Sequence, residues 1–256
     1  MGGLPSGKTM SLCLPRANPF AVDAWFDSSC TLTFAVPATE IAARLPDCLQ
    51  PDVFEDQWGF VAVAVVQTRR LRPAGFPGFL GNDFVLVGYR YFVRYRSASG
   101  RNLRGLYIVR SETDKPRMVL LGNLFTRYRY VRSAITIKGQ GSQLAIHAAD
   151  TGLDISVDMH PDANLPEGSP FSSWQEARRF SGPLPFTFTC ERDKNRVLIV
   201  EGVRSDWRPR PVKVLRQRIP FLDEFGLGHA VLANAFVVEN IPYHWKKGIS
   251  EPWPRS

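Results

Sequence analysis

The sequence has no apolar run approaching the ~20 residues that a helix needs to cross a bilayer. Its longest run, GFVAVAVV from Gly59 to Val66, is typical of a buried strand. No continuous apolar stretch of the secretory type precedes Pro15. We therefore expect a cytoplasmic protein with no membrane partner.

Motifs for metal binding, redox chemistry and nucleophilic catalysis are also absent from the sequence. The four cysteines are scattered, at Cys13, Cys30, Cys48 and Cys190. Without a C-x-x-C pair they indicate neither a zinc site nor a redox motif, and we expect buried free thiols. The histidines have no ligand spacing, since Pro161 interrupts the alternation of Asp158, His160 and Asp162. No G-x-S-x-G elbow or Cys–His pattern occurs, and we predict neither a metal nor another cofactor.

Residues 2–9, GGLPSGKT, fit the phosphate-binding pattern G-x-x-x-x-G-K-[ST] but lack its setting. That loop needs a strand before it and a helix after it. Only Met1 precedes the motif, and Pro15 and Pro19 stop any helix within about two turns. We interpret residues 1–24 as an N-terminal tail that does not bind nucleotide. The same residues match a myristoylation pattern through Gly2 and Ser6, which would require a eukaryotic-type host.

Twenty glycines and twenty prolines divide the rest of the chain into short segments, most of which alternate as half-buried strands do. Three pairs of segments flank polar turns and predict hairpins, at 89–96 with 103–110, 134–137 with 143–148, and 186–191 with 196–203. Further strands are predicted at 30–36, 117–125, 211–219 and 229–241. About twelve strands predict one α+β, mainly β domain over residues 25–256, in a closed or nearly closed antiparallel barrel that protects its edges.

Only two segments have a sustained helical period. In PATEIAARL, Ile41, Ala42 and Leu45 share one face of a predicted helix over 37–45. In SSWQEARRF, over 172–180, Ser173 and Glu176 have the spacing of a capping box. We therefore expect a few helices flanking the barrel.

Arginine dominates the basic residues: 25 arginines stand against 7 lysines, and the net charge is +8. The guanidinium group is a planar fork of donors that suits carboxylates and phosphates. On the predicted strand YRYFVRYR, Arg90, Arg94 and Arg96 share one face, and on its partner strand Arg110 shares a face with Arg104. Facing a barrel interior, these groups would demand an anionic ligand or carboxylate partners. Facing solvent, they would form an ordinary wet surface.

The tyrosines of the same strand, Tyr89, Tyr91 and Tyr95, alternate with its arginines. A basic sheet with interleaved aromatic rings is also typical of single-stranded nucleic-acid binding. The glycine- and phenylalanine-rich signature of RNA-binding sheets is absent, so nucleic acid is the less favoured partner.

The segment LTFAVPATEIAARLPDCLQPDVFEDQWGFVAVAV resembles the opening of a bacterial family with a domain of unknown function, grouped within the acetoacetate-decarboxylase-like superfamily. The matching positions in that segment are Val36, Pro37, Leu45, Pro46 and Asp52. Later matches are Arg90 and Val93 in LVGYRYFV, Gly105 and Tyr107 in GLYI, and the pair His244 and Trp245. The likeness spans about residues 28–248. It implies an acetoacetate-decarboxylase-like β-barrel or cone with a central cavity.

The decarboxylases of that superfamily use a lysine Schiff base and nearby acidic residues, and this sequence departs from both features. Leu86 stands where the family strand carries glutamate. No lysine lies between Lys115 and Lys138. That stretch contains Arg127, Arg129 and Arg132 instead. Arginine stays protonated and cannot form the Schiff base.

We predict a small-molecule-binding protein for an anionic, carboxylate-type ligand, with or without catalysis. The candidate ligand-binding residues are Arg90, Arg94, Arg96 and Arg110, joined by Tyr107 and His244 through the resemblance. Tyrosine can donate a hydrogen bond to an anion, and histidine can transfer a proton. The alternatives are a decarboxylase-like lyase acting on a β-keto acid and a nucleic-acid-binding sheet. The oligomeric state is left open, with a homo-oligomer as one option.

Overall fold

The computed structural model describes residues 17–160, 164–182 and 184–253, so the motif at 2–9 lies outside the described chain. Fifteen strands and four α-helices are found there. In chain order they are β1 (Val22–Pro37), α1 (Ala38–Ala42), β2 (Gln50–Pro51), β3 (Trp58–Pro73), β4 (Asn82–Arg96), β5 (Asn102–Thr113), α2 (Pro116–Phe125), β6 (Tyr130–Arg132), β7 (Ile135–Gln140), β8 (Gln143–Ala148), β9 (Leu153–Asp158), α3 (Trp174–Ser181), β10 (Phe186–Glu191), β11 (Arg196–Arg204), β12 (Arg210–Pro211), β13 (Lys213–Arg218), α4 (Pro220–Glu224), β14 (Val231–Trp245) and β15 (Ile249–Pro252).

Seven strands close into a ring, in the order β14, β1, β3, β4, β5, β10 and β11, with β11 pairing again with β14. The pairing of β5 with β10 is parallel, and the other pairings of the ring are antiparallel. A smaller sheet is formed by β13, β9, β8 and β7. The mainly β class predicted from the sequence is therefore confirmed, and closing the ring leaves its seven strands with paired edges.

One face of the ring forms the main hydrophobic core. Tyr89 and Tyr91 of β4 are buried there with Phe34 of β1, together with Ile155 of the smaller sheet and Phe221 of α4. The ring of Tyr89 stacks on that of Phe221, with centroids 4.1 Å apart. The smaller sheet and α4 thus cover this face, and the opposite face of the ring is left to enclose a cavity.

The helices differ in part from the sequence-based expectation. Residues 117–125 were predicted as a strand and instead belong to helix α2, which starts at Pro116. Proline is well placed in a first helical turn, where its missing N–H is not needed. The expected helix over 37–45 is shorter and ends at Ala42, and α4 was not predicted. One half of the predicted capping box of α3 is present, since Ser173 Oγ accepts a 3.2 Å hydrogen bond from Glu176 N. The other half differs, because Glu176 Oε2 accepts from Ser172 N at 2.7 Å.

The expectation of free thiols is right for one cysteine and wrong for two. Cys30 is buried and free, whereas Cys48 and Cys190 form a disulfide that joins positions 142 residues apart. Cys13 lies outside the described residues. Such a separation gives no local spacing signal, so the pair could not be found by looking for short cysteine motifs. In the described chain, no helix combines the length and apolar character needed to cross a membrane.

Candidate functional site

All seven strands of the ring contribute side chains to one cavity of about 530 Å³. One such residue from each strand, in chain order, is Phe26, Val66, Arg90, Ile108, Thr187, Val200 and Phe236. The lining residues that are exposed, and so mark the mouth, are Phe20, Leu80, Arg117 and Lys246. A largely apolar cavity of this volume is typical of a small-molecule site.

Arg90, in the middle of β4, places its guanidinium in this apolar interior. Its Nε has no hydrogen-bond partner, and it forms no salt bridge with any carboxylate of the described residues. Burial lowers the pKa of the Arg90 side chain, and the neighbouring Tyr243 and Tyr130 oppose that shift. A buried guanidinium without a counter-charge is unfavourable, so an anion entering the cavity would stabilise it.

Arg204, the last residue of β11, is a second cation of the cavity. Its Nη1 donates to Tyr243 Oη at 2.5 Å, and its guanidinium lies 4.9 Å from the ring centroid of Trp207. Burial lowers the pKa of Arg204, and its positive charge also lowers the pKa of Arg90. The lining therefore contains two cations, and a bound anion would offset the unfavourable charge that Arg204 adds to Arg90.

Two further tyrosines, Tyr128 and Tyr130, bring hydroxyl groups to the lining. Burial raises the pKa of Tyr130 to about 12, and that of Tyr128 rises further for the same reason. Both hydroxyls therefore keep their protons at neutral pH and can donate hydrogen bonds. Tyr128 Oη accepts a 3.3 Å hydrogen bond from Asn18 Nδ2, which leaves its own proton available for a ligand.

The charge of the cavity has one sign. Its described lining contains no aspartate or glutamate, and its basic residues are Arg72, Arg90, Arg117, Arg204 and Lys246. Lys246 is paired with Glu201 at 2.9 Å near the mouth. A cavity whose charged side chains are all positive attracts anions and repels cations, more strongly because its apolar walls screen the charges poorly.

Glycines make room for three of these polar groups. A Cβ at Gly88 would stand 2.9 Å from Arg90 Nε, and one at Gly202 would stand 2.4 Å from Tyr243 Oη. A Cβ at Gly122 of α2 would overlap the ring of Tyr130, at 2.4 Å from Cδ2. The spacing of glycine and arginine could therefore have identified the two cavity arginines from the sequence. Each cationic strand has glycine two residues before its arginine, on the same face, in VGYR and EGVR.

The other predicted arginines do not converge on this cavity. Arg94 and Arg104 lie directly opposite each other on β4 and β5, and both bind the fully buried Asp52. Arg94 Nε is 2.5 Å from Asp52 Oδ1, and Arg104 Nε is 2.7 Å from Asp52 Oδ2. This buried carboxylate offsets the repulsion of the two facing cations, whose side chains remain partly exposed. Arg96 is exposed at the end of β4.

Arg110 lies on the opposite face from Arg90 because of a β-bulge. Tyr89 is paired with Arg110 but Arg90 with Ile108, so Val109 is an extra residue on β5 that reverses its alternation. Arg110 consequently packs on the Tyr89 ring, 5.1 Å from its centroid, and binds Glu224 at 2.7 Å. The bulge thus removes Arg110 from the predicted wall of four arginines. Arg94 is bound to Asp52 and Arg96 is exposed, so the structure does not bring the four together. Arg90 alone of the four lines the cavity.

The two residues chosen by resemblance also lie elsewhere. Tyr107 is half-buried and packs against the main hydrophobic core. His244 borders a second cavity of about 670 Å³, where its Nδ1 is 2.6 Å from Asp23 Oδ1. That cavity also holds Asp27, which pairs with Arg69. Asp23 and Asp27 already offset part of the positive charge of the second cavity. The ring cavity, whose described lining has no carboxylate, is therefore the better anion site.

The alternative functions find less support in the geometry. Tyr89, Tyr91 and Tyr95 are buried in the main core, so their rings cannot stack on nucleic-acid bases. Among the described lysines only Lys246 borders the ring cavity, and it is exposed and ion-paired. No group of three or more potential metal-ligating side chains is found in residues 17–160, 164–182 and 184–253.

Comparisons with known proteins agree with this architecture. The chain matches DUF2071, described as an uncharacterized conserved protein, over residues 24–245. No curated protein matches it significantly in sequence. The chain is similar to acetoacetate decarboxylase from Legionella pneumophila, with a TM-score of 0.61 at 11% identity over 96% of this chain and 98% of that chain. An acetoacetate decarboxylase-like enzyme from Sphingomonas wittichii RW1 gives 0.56 at 12% identity over 91% and 93% of the two chains.

A third solved structure, the enduracididine biosynthesis enzyme MppR complexed with pyruvate, has a TM-score of 0.53 at 11% identity, over 94% of this chain and 92% of that chain. At these identities the three similarities establish a shared fold. The acetoacetate-decarboxylase-like fold expected from the sequence is confirmed.

Proposed function

We propose that this chain, which belongs to the DUF2071 family, binds an organic anion with an apolar body, of the carboxylate type, inside the ring cavity. The observation that carries the proposal is Arg90. Its guanidinium is enclosed by an apolar lining without a described carboxylate, and its Nε has no partner. An anionic group held by Arg90 and Arg204 would supply the missing counter-charge.

The rest of the cavity indicates the form of the ligand. Aromatic and aliphatic side chains such as Phe26, Phe84, Phe92 and Ile108 line most of the wall. They favour a ligand with an apolar body larger than that of a two- or three-carbon acid. The fold is compatible with carboxylate binding, because the similar enzyme MppR was solved with pyruvate.

The test is a thermal-shift and calorimetric series with pyruvate, phenylacetate and dodecanoate. We expect the melting temperature to rise with the apolar length of the carboxylate, because a ligand that binds only the native state stabilises it. Arg90→Gln should weaken binding by about 2–5 kcal/mol, the usual cost of removing one partner of a buried charge pair. Arg96→Gln is the matched control, since it removes an exposed arginine of the same strand.

Two outcomes would contradict the proposal: no carboxylate shifts the wild-type melting temperature, or Arg90→Gln and Arg96→Gln respond alike. Uncharged alcohols of the same chain length provide the ligand control. They should bind more weakly than the acids, because they offer no charge to Arg90.

A lyase of the decarboxylase type is the second candidate, and it is separable by chemistry. A Schiff base forms when a lysine amine replaces the carbonyl oxygen of a β-keto acid, and borohydride reduces the imine to a stable amine. Mass spectrometry after such trapping would show an adduct on Lys246 if this lysine were the nucleophile. Because Lys246 is paired with Glu201 and exposed, we expect no adduct.

A further inference from the structure

The mouth of the ring cavity is surrounded by exposed apolar side chains. Eleven large hydrophobic residues are exposed in the described chain. Six of them lie on the three segments that bring Phe20, Leu80 and Arg117 to the mouth. These six are Phe20, Phe76, Phe79, Leu80, Leu120 and Leu124. The largest exposed fractions are 84% for Phe79 and 69% for Leu120. Such a concentration of exposed apolar surface marks an interaction site.

Three segments bring these residues to the same place. The connection from β3 to β4 carries Phe76 and Phe79 and contributes Leu80 to the cavity lining. Helix α2 contributes Arg117 and Leu121 to the same lining, while Leu120 and Leu124 are exposed on its surface. The ring of Phe20 packs on that of Phe125, with centroids 5.3 Å apart. We call this rim, formed by residues 20, 76–80 and 117–125, the mouth surface.

The mouth surface contains Arg117, and the stretches on either side of its segments carry further basic residues. Residues 69–82 contain three arginines and residues 115–132 contain four arginines and a lysine, and neither segment contains an aspartate or glutamate. Arg69 pairs with Asp27 and Lys115 with Asp114, both from outside the two segments. Arg117 of the mouth surface is exposed and forms no salt bridge with a described carboxylate. The same is true of Arg70, which borders the second cavity. The partner of this surface should therefore be negatively charged.

We propose that the mouth surface docks on an anionic lipid membrane and that the chain takes its ligand from there. Exposed phenylalanine and leucine side chains can enter the boundary between headgroups and acyl chains, and arginines can pair with lipid phosphates. The identity of the ligand as an apolar anion rests on the proposed function, and the docking itself does not. No membrane-spanning segment is needed, so this proposal revises the sequence-based expectation of no membrane partner.

The positive charge around the mouth surface argues against a second copy of this chain as its binding partner. In a two-fold symmetric dimer the same patch meets itself, so each basic rim would face the other. Like charges brought together at an interface cost several kcal/mol. An anionic bilayer instead matches both the apolar centre and the basic rim.

The experiment is co-sedimentation of the full chain, without ligand, with vesicles of phosphatidylcholine alone or mixed with phosphatidylglycerol. We expect binding to the mixed vesicles, with weakening at high salt because exposed charges are screened. The double variant Phe79→Ser with Leu120→Ser should lower the partition coefficient about tenfold or more, since both apolar contacts are lost. Ile249→Ser is the matched control, because Ile249 is 66% exposed on β15 and does not line the cavity.

Several outcomes would overturn the proposal. They are equal sedimentation with and without phosphatidylglycerol, no binding to either vesicle, and equal binding by the double variant and the Ile249 control. A dimer in analytical ultracentrifugation that the double variant dissociates, without vesicle binding, would assign the surface to a second copy instead.

Failure of this proposal is distinguishable from failure of the proposed function. Arg90→Gln should sediment with mixed vesicles as the wild type does, because Arg90 lies inside the cavity. The Phe79 and Leu120 double variant should keep the thermal shift caused by dodecanoate in solution. If Arg90→Gln lost vesicle binding while the double variant kept it, the mouth surface would not be the docking site.

Discussion

The guanidinium of Arg90 lies over the Cα of Gly88 on β4, where a Cβ would stand 2.9 Å from both Nε and Nη2. Gly88→Ala should therefore push the guanidinium aside while leaving its charge in the cavity. We expect carboxylate affinity to fall about tenfold, which corresponds to ~1.4 kcal/mol. Calorimetry with dodecanoate measures this loss.

The control for this variant is Gly139→Ala in β7. A Cβ at Gly139 meets nothing within 4 Å, so the substitution changes a strand glycine without displacing a neighbour. It should leave affinity unchanged. Equal affinities of wild type and Gly88→Ala would mean that the position of Arg90 does not matter for binding.

Alternation along β4 placed Arg90 correctly, and a bulge in β5 explains why Arg110 is not beside it. The sequence correctly separated Arg90 from Tyr89 and Tyr91, because neighbouring residues of a strand point to opposite faces. The same alternation predicted that Arg110 and Arg104 share one face of β5. The extra residue Val109 places them on opposite faces. No residue type marks a bulge at valine, so the strand pattern alone could not reveal it.

Ring closure supplied the residues that the sequence could not bring together. Arg204 and Tyr243 enter the cavity only because β11 pairs with both β10 and β14. Asp52 is 42 residues from Arg94 and 52 from Arg104, so the ion-pair network was invisible to local spacing. Helix α2 was mistaken for a strand because its apolar residues, including Val119, Leu120 and Leu121, run together rather than at helical spacing.

Asp52→Asn should destabilise the fold by about 2 kcal/mol, the scale of a hydrogen bond to a charged group. The change leaves Arg94 and Arg104 opposite each other with no carboxylate between them. Urea unfolding measures the effect. In an Arg94→Gln background the same substitution should cost less, because only one cation then loses its partner. Identical costs in the two backgrounds would show that Asp52 does not hold the pair together.

The disulfide between Cys48 and Cys190 should contribute strongly to stability. It closes a loop with a sequence separation of 142, for which chain entropy gives about 4–5 kcal/mol. Reductant should lower the denaturant midpoint of the wild type. The double variant Cys48→Ser with Cys190→Ser should start lower and show no further response to reductant. Detection of both thiols as free in the unfolded, unreduced protein would contradict the bond.

The cavity phenols predict loss of stability at alkaline pH. Burial raises the pKa of Tyr130 to about 12 from 10.0, so between these values the unfolded chain releases a proton that the folded chain retains. The free energy of unfolding therefore falls as the pH rises through this window, because the folded state then binds more protons than the unfolded state. Chemical unfolding at several pH values from about 9 to 11 measures the slope. Tyr130→Phe removes one titrating group and should make the decline shallower, and an unchanged slope would place the Tyr130 hydroxyl in contact with solvent rather than in the cavity.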